Sequence, residues 1–212
     1  MLSDALQKKI ESAVVRIEGK KGRGTLIHGE FVLTAAHCID CEYDGTMFQG
    51  LGQHLETVVT QDGRSFRMAP CAVEPVSDIA VLGEADDQEL PEDSQQFQTF
   101  RDSTEPVKIS RMRFKTEEEY EVYMLDLQLN WIKGKLIRFG IFKHYSVIPI
   151  NTEGEIEGGC SGGPIVNSDG QIIGVVANFS GDGYQGMIPI AHLALPYWVR
   201  KRILDKGPLW VN

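Results

Sequence analysis

One serine in this chain lies in a stretch able to bring a backbone close to a bound carbonyl group: Glu157-Gly158-Gly159-Cys160-Ser161-Gly162-Gly163-Pro164, with the core G-x-S-G-G-P. Glycines reach backbone angles that other residues avoid, so such a stretch can present a hydroxyl in an open turn. A serine hydroxyl alone is a weak nucleophile. It needs a general base and a group that orients the base. Both types lie upstream. Val32-Leu33-Thr34-Ala35-Ala36-His37-Cys38 sets a histidine directly after an apolar, strand-like run, and Ser77-Asp78-Ile79-Ala80-Val81-Leu82 sets an aspartate at the mouth of another. Together they could perform acyl transfer. Ser161 attacks a carbonyl, His37 takes the proton and returns it to the leaving group, and Asp78 holds the imidazole tautomer.

Read in order, T-A-A-H-C, D-I-A-V-L and G-x-S-G-G-P resemble the trypsin/chymotrypsin-type serine peptidases. Unrelated folds that carry the same three groups thread them in other orders. Here 41 residues separate His37 from Asp78 and 83 separate Asp78 from Ser161, a spacing that suits a first barrel supplying His and Asp and a second supplying Ser. The resemblance runs over residues 12–190 and rests on the three motifs. It implies a serine endopeptidase acting on protein or peptide substrates, an all-β fold of two six-stranded antiparallel β-barrels, and an active site in the cleft between them. It assigns catalysis to His37, Asp78 and Ser161, with the backbone N–H groups of Gly159 and Ser161 as oxyanion hole. Activity is then expected to rise through an apparent pKa near ~7 as the imidazole loses its proton.

For substrate binding the resemblance puts Glu155 at the base of the primary pocket and Ala177, Asn178 and Phe179 along its wall. A buried carboxylate there would favour Arg or Lys in the substrate. The residues leave a second reading open, in which Glu153, Glu155 and Glu157 alternate along a solvated loop. Another reading of the whole chain is a catalytically silent module that binds peptides in the same cleft.

The chain also departs from the secreted members of that family. They carry aspartate before the serine, to receive a new N-terminal amine after cleavage, whereas Cys160 offers no carboxylate. Val14-Val15-Arg16-Ile17-Glu18-Gly19 likewise lacks an Ile-Val-Gly-Gly-like start. Activation by N-terminal trimming is therefore not expected. Two outcomes are then open: residues 158–161 are held ready by packing and hydrogen bonds, or they stay disordered until a partner or substrate binds; with no regulatory domain visible in 212 residues, the expectation leans to an activating protein partner. Relatives with a cysteine nucleophile place it directly before Gly-Gly, the slot that Ser161 fills, so Cys160 is not the expected nucleophile. Cys38-Ile39-Asp40-Cys41 has C-x-x-C spacing, but without a second pair at ligand spacing it predicts no metal site. No cofactor is expected.

With 42% hydrophobic and 24% charged residues the composition is that of a globular chain, and 22 glycines serve many turns. A net charge of −9 argues against nucleic acid, which needs a basic face. The first ten residues lack the features of an export signal, and no apolar run approaches a membrane span, so the reading is cytoplasmic with no membrane partner.

One peptidase domain over 1–212 is expected, with a first barrel over 12–100, a second over 106–190 and a C-terminal helix over 191–204. A short helix over 3–11, capped by Ser3 or Asp4, precedes the first strand. Strands are expected at 25–27 and 31–34 around the Gly29 turn, at 55–60, 65–68 and 79–82, then at 106–113, 120–129, 135–142 and 146–149. A hairpin around Asn167-Ser168-Asp169-Gly170 follows the serine. Residues 84–105 read as an exposed acidic crossover, and Pro196 must sit in the first turn of the last helix or start a new one.

Overall fold

The computed structural model describes residues 2–39, 54–115, 118–139, 144–150, 154–179 and 186–205. Cys41 and Glu153 lie outside them. Ser3 caps the first helix, α1 (Asp4–Ala13), by accepting from the Leu6 N–H at 3.4 Å, and Ile10 and Ala13 are its buried face. Six strands then close into a barrel: β1 (Val14–Ile17), β2 (Gly22–Ile27), β3 (Phe31–Thr34), β4 (Glu56–Thr60), β5 (Ser65–Glu74) and β6 (Ile79–Glu84). Their order around the ring is β1-β2-β3-β6-β5-β4, with β4 returning to β1. Every residue of β2 is buried, because one side faces the barrel interior and α1 packs against the strand. Val14–Ile17, the stretch where a trimmed N-terminus would have to lie, is thus a barrel strand paired on both sides.

The acidic crossover departs from expectation. Residues 91–103 form a helix, α2 (Pro91–Ser103), that packs on β5. Pro91 at its start fits because the first helical N–H needs no partner, and Glu92 and Asp93 complement the positive end of the helix. Phe97 and Phe100, one turn apart, bury their rings against Phe66 at centroid distances of 5.8 and 6.0 Å. Full burial of each is worth roughly 1.5–3 kcal/mol, enough to hold a helix that is otherwise polar.

The second half is a curled seven-stranded sheet. It holds β7 (Glu119–Leu125), β8 (Trp131–Phe139), β9 (His144–Pro149), β10 (Pro164–Val166), β11 (Ile172–Val175), β12 (Asn178–Phe179) and β13 (Gly186–Met187), in the order β11-β10-β7-β8-β9-β13-β12. Val122, Met124, Ile132, Leu136, Ile165 and Ile173 form its core. The expected strand at 106–113 is absent. That segment runs between the halves instead, making two isolated parallel bridges, Val107 to Ile27 and Ile109 to Ile172. The C-terminal helix is two helices, α3 (Ala191–Ala194) and α4 (Tyr197–Asp205), separated by Leu195 and Pro196. Among the described residues no helix is long and apolar enough to cross a membrane.

Candidate active site

Strand register brings histidine and aspartate together. β3 and β6 pair antiparallel with Thr34 opposite Ala80, so the chain leaving β3 passes the chain entering β6. Residues 36–38 make a single tight turn there, and Asp78 enters β6 with a φ of 54°, a left-handed angle that aspartate tolerates better than most residues. His37 Nδ1 and Asp78 Oδ2 are 2.7 Å apart, and the His37 backbone N–H donates to Asp78 Oδ1 at 2.9 Å. The carboxylate therefore fixes the ring and its own approach at once. About half of the His37 side chain is exposed, leaving its other edge open to a ligand.

The electrostatics of the pair are lopsided. Hydrogen bonding to Asp78, then to the Cys38 side chain, pushes the His37 pKa up to about 10 against the opposing pull of burial. Burial would raise the Asp78 carboxyl, but its bonds to the His37 ring and backbone more than offset this and hold it below the usual carboxylate range. A proton is thus retained on His37 well above the ordinary range of imidazole.

The serine loop docks onto the same corner. The Ser161 carbonyl accepts from the Arg23 N–H at the start of β2 at 2.7 Å, while the Cys38 side chain lies against the neighbouring Gly22. Ser161 and the turn carrying His37 thereby flank one strand end. Gly162, with a φ of 79°, is wedged so closely that a Cβ would fall 2.0 Å from the Arg23 carbonyl oxygen and 2.3 Å from Thr34 Oγ1. Gly162 N–H donates to Val176 O at 2.7 Å, Gly163 N–H to Cys160 O at 3.0 Å and Cys160 N–H to Glu157 O at 3.0 Å. Among the described residues, the N–H groups of Gly159 and Ser161 make no hydrogen bond. The loop is fastened at the amides of Cys160, Gly162 and Gly163, while those of Gly158, Gly159 and Ser161 make no hydrogen bond among the described residues and are free to donate to a bound oxyanion. A partner that reordered this loop would have to break these bonds.

Cys160 is fully buried, and burial foremost pushes its thiol up, which disfavours the thiolate a nucleophile needs. Cys38 and Cys160 are buried free thiols. Glu155 and Glu157 are exposed on either side of buried Ile156, Ala177 is buried, and Asn178 and Phe179 form β12 beside β13. No group of His, Cys, Asp or Glu among the described residues is arranged to hold a metal.

Arg23 is the residue that sequence reasoning passed over. It is 5% exposed, and its Nη1 and Nη2 donate to the carbonyls of Asp126 (2.5 Å) and Leu127 (2.6 Å) in the β7–β8 turn. Asp126 shapes that turn by accepting from the N–H groups of Gln128 and Asn130. The Arg23 carbonyl also accepts from Thr34 Oγ1 at 2.6 Å. One side chain and its own backbone thus bolt the barrel, the second half and the serine loop together. The signal available beforehand was a charge between two glycines in an otherwise uncharged strand.

A family model described as a trypsin-like peptidase domain matches residues 22–175. Comparison with curated protein sequences finds no match. Among solved structures, the chain is similar to a serine endoprotease from Yersinia pestis, with a TM-score of 0.62, 20% identity, and coverage of 97% of this chain and 68% of that one. It is also similar to the Rv3671c protease of M. tuberculosis. In the inactive form the TM-score is 0.59 at 20% identity, covering 96% of this chain and 93% of that one. In the active form it is 0.56 at 20% identity, covering 97% and 88%. At this identity the likenesses carry the fold alone.

Proposed function

This chain belongs to the trypsin-like peptidase domain family, and we propose that it is a serine endopeptidase that hydrolyses peptide bonds of protein substrates. In this reading Ser161 attacks the carbonyl, His37 shuttles the proton, Asp78 orients and stabilises the imidazolium, and the free N–H groups of Gly159 and Ser161 receive the oxyanion. The observation that carries it is the 2.7 Å His37–Asp78 contact at a strand end shared with a serine loop in which the Gly159 and Ser161 amides are unspent. Incubation with a diverse peptide library, with mass-spectrometric mapping of the cuts, tests it. No cleavage above that of the Ser161→Ala protein would sink it.

The pH profile follows from the charge on His37. Its pKa is raised, so the neutral base becomes available only as pH climbs, and kcat/KM is expected to rise through an apparent pKa displaced from the ordinary 6.5 towards about 10. Cys38→Ala removes the second contributor and is expected to shift the ascending limb to lower pH. A limb centred near 6.5 in both proteins would contradict the assigned cause. The matching stability contribution has the same sign: it is full below the unfolded imidazole value and is lost as pH rises through the folded one.

Selection at Glu155 is expected to be weak. Its carboxylate is exposed, and a solvent-screened charge discriminates poorly. Glu155→Gln is expected to change kcat/KM for Arg- and Lys-containing substrates by less than about fivefold. A selective loss of a hundredfold for those substrates alone would restore it to the base of a pocket.

A further inference from the structure

A cavity of about 820 Å3 opens in the second half, lined by the 109–114 segment, β8, β9, α3 and α4, and none of His37, Asp78 and Ser161 reaches it. Five cationic side chains line it: Arg111, Arg113, Arg138, Arg200 and Lys201. No carboxylate does so among the described residues. In a chain with 30 acidic and 21 basic residues, five cations gathered without one acid are unusual. Elsewhere cations meet carboxylates, as in Arg64–Asp62 (2.6 Å), Arg67–Asp93 (2.7 Å) and Lys135–Glu119 (2.6 Å).

Two of the five are aimed without a carboxylate partner among the described residues. Arg138 Nη1 donates to the Phe114 carbonyl at 3.1 Å and Arg200 Nη1 to the His192 carbonyl at 3.2 Å, while the Nε of each is buried with no acceptor. A backbone carbonyl orients a guanidinium but leaves its charge uncompensated, and such a charge in a partly desolvated place is costly until an anion arrives. The field of the cluster is felt by His192, whose pKa is lowered by burial first and then by Arg200 and Arg113. The remaining wall is apolar and braced. Phe114 meets Tyr120 and Tyr145 edge-on at 5.0 and 5.7 Å, and Ile109 and Leu195 lie alongside.

We propose that this cavity docks an acidic peptide segment of a partner protein in which carboxylates alternate with apolar side chains. Guanidinium forks pair with carboxylates bidentately, and the apolar wall offers burial for the side chains between them. A single inorganic anion would leave both the volume and that wall unused. A nucleic acid would need a continuous basic face along which its phosphates could run, and a chain of net charge −9 offers cations in this cavity rather than along such a face. The site is separate from the proposed peptidase chemistry and does not depend on it.

The test uses the full chain carrying Ser161→Ala, so that no probe is consumed, and the fluorescein-labelled peptide Asp-Phe-Glu-Leu-Asp-Phe-Glu followed by anisotropy. Expected are saturable binding that weakens with salt, at least roughly tenfold weaker binding of the matched Asn/Gln peptide, and a similar loss in Arg113→Gln/Lys201→Gln. Both substituted side chains are exposed, so the melting temperature should not move; Arg111→Gln, also exposed, serves as a second variant. In the active background the double variant should leave turnover of a short neutral peptide unchanged. Equal binding of the acidic and amide peptides, or undiminished binding by both variants, overturns the proposal. So does displacement of the probe by tripolyphosphate or an oligonucleotide at lower concentration than by the unlabelled acidic peptide.

Discussion

Ser161→Ala and His37→Ala are each expected to lower kcat/KM by roughly ten-thousandfold to a millionfold, with the double variant scarcely worse than either. The reason is that the two side chains act as one unit: without the base the hydroxyl stays protonated, and without the hydroxyl the base has nothing to activate. Neither change should unfold the protein. The His37 side chain is about half exposed, and the hydrogen bonds that fasten the serine loop use backbone atoms, including the Ser161 carbonyl. Fluorophosphonate labelling of the parent, lost in Ser161→Ala, is the direct readout. If iodoacetamide stopped turnover while serine reagents left it intact, the assignment to Ser161 would be wrong, and an unlabelled parent would return the chain to the reading of a silent peptide-binding module.

Two glycines of the same motif are expected to behave in opposite ways. Gly162→Ala forces alanine to a φ of 79° and drives its Cβ to 2.0 Å from the Arg23 carbonyl oxygen, a backbone atom that cannot swing aside. The left-handed angle alone costs about 1–2 kcal/mol, and displacing the strand brings the expected loss to about 3 kcal/mol or more. For a chain of this size that is a fall in Tm of roughly 6–12 °C. Turnover should fall with it, because the strand that must move is the one to which Ser161 is tied. Gly158→Ala meets no atom of the described residues within 4 Å and should change stability by less than about 0.5 kcal/mol. Thermal unfolding of the two variants side by side checks this. Equal shifts would mean that the serine loop is not clamped against β2 and β3 as described.

Local rules made much of this molecule legible in its sequence. An apolar run ending in His37, another beginning after Asp78, and a serine among glycines are each short-range signals, and their order along the chain carries the family. Ser3 as a helix cap, the Gly29 turn and the Asn167–Gly170 hairpin need only neighbours a few residues away, so they too could be read directly. The features that escaped depend on partners far along the chain. Nothing within residues 91–103 shows that Phe97 and Phe100 will find Phe66, so a polar segment read as an exposed crossover. Arg23 gains its meaning only when β2 meets the β7–β8 turn, and the shift in His37 arises foremost from Asp78, 41 residues along the chain. The cationic cavity is the extreme case. Its charges come from the 109–114 segment, β8 and α4, and in an acidic chain no stretch of sequence announces them. Composition averages charge over the chain, whereas a ligand meets the field of those side chains that folding gathers within a few ångströms.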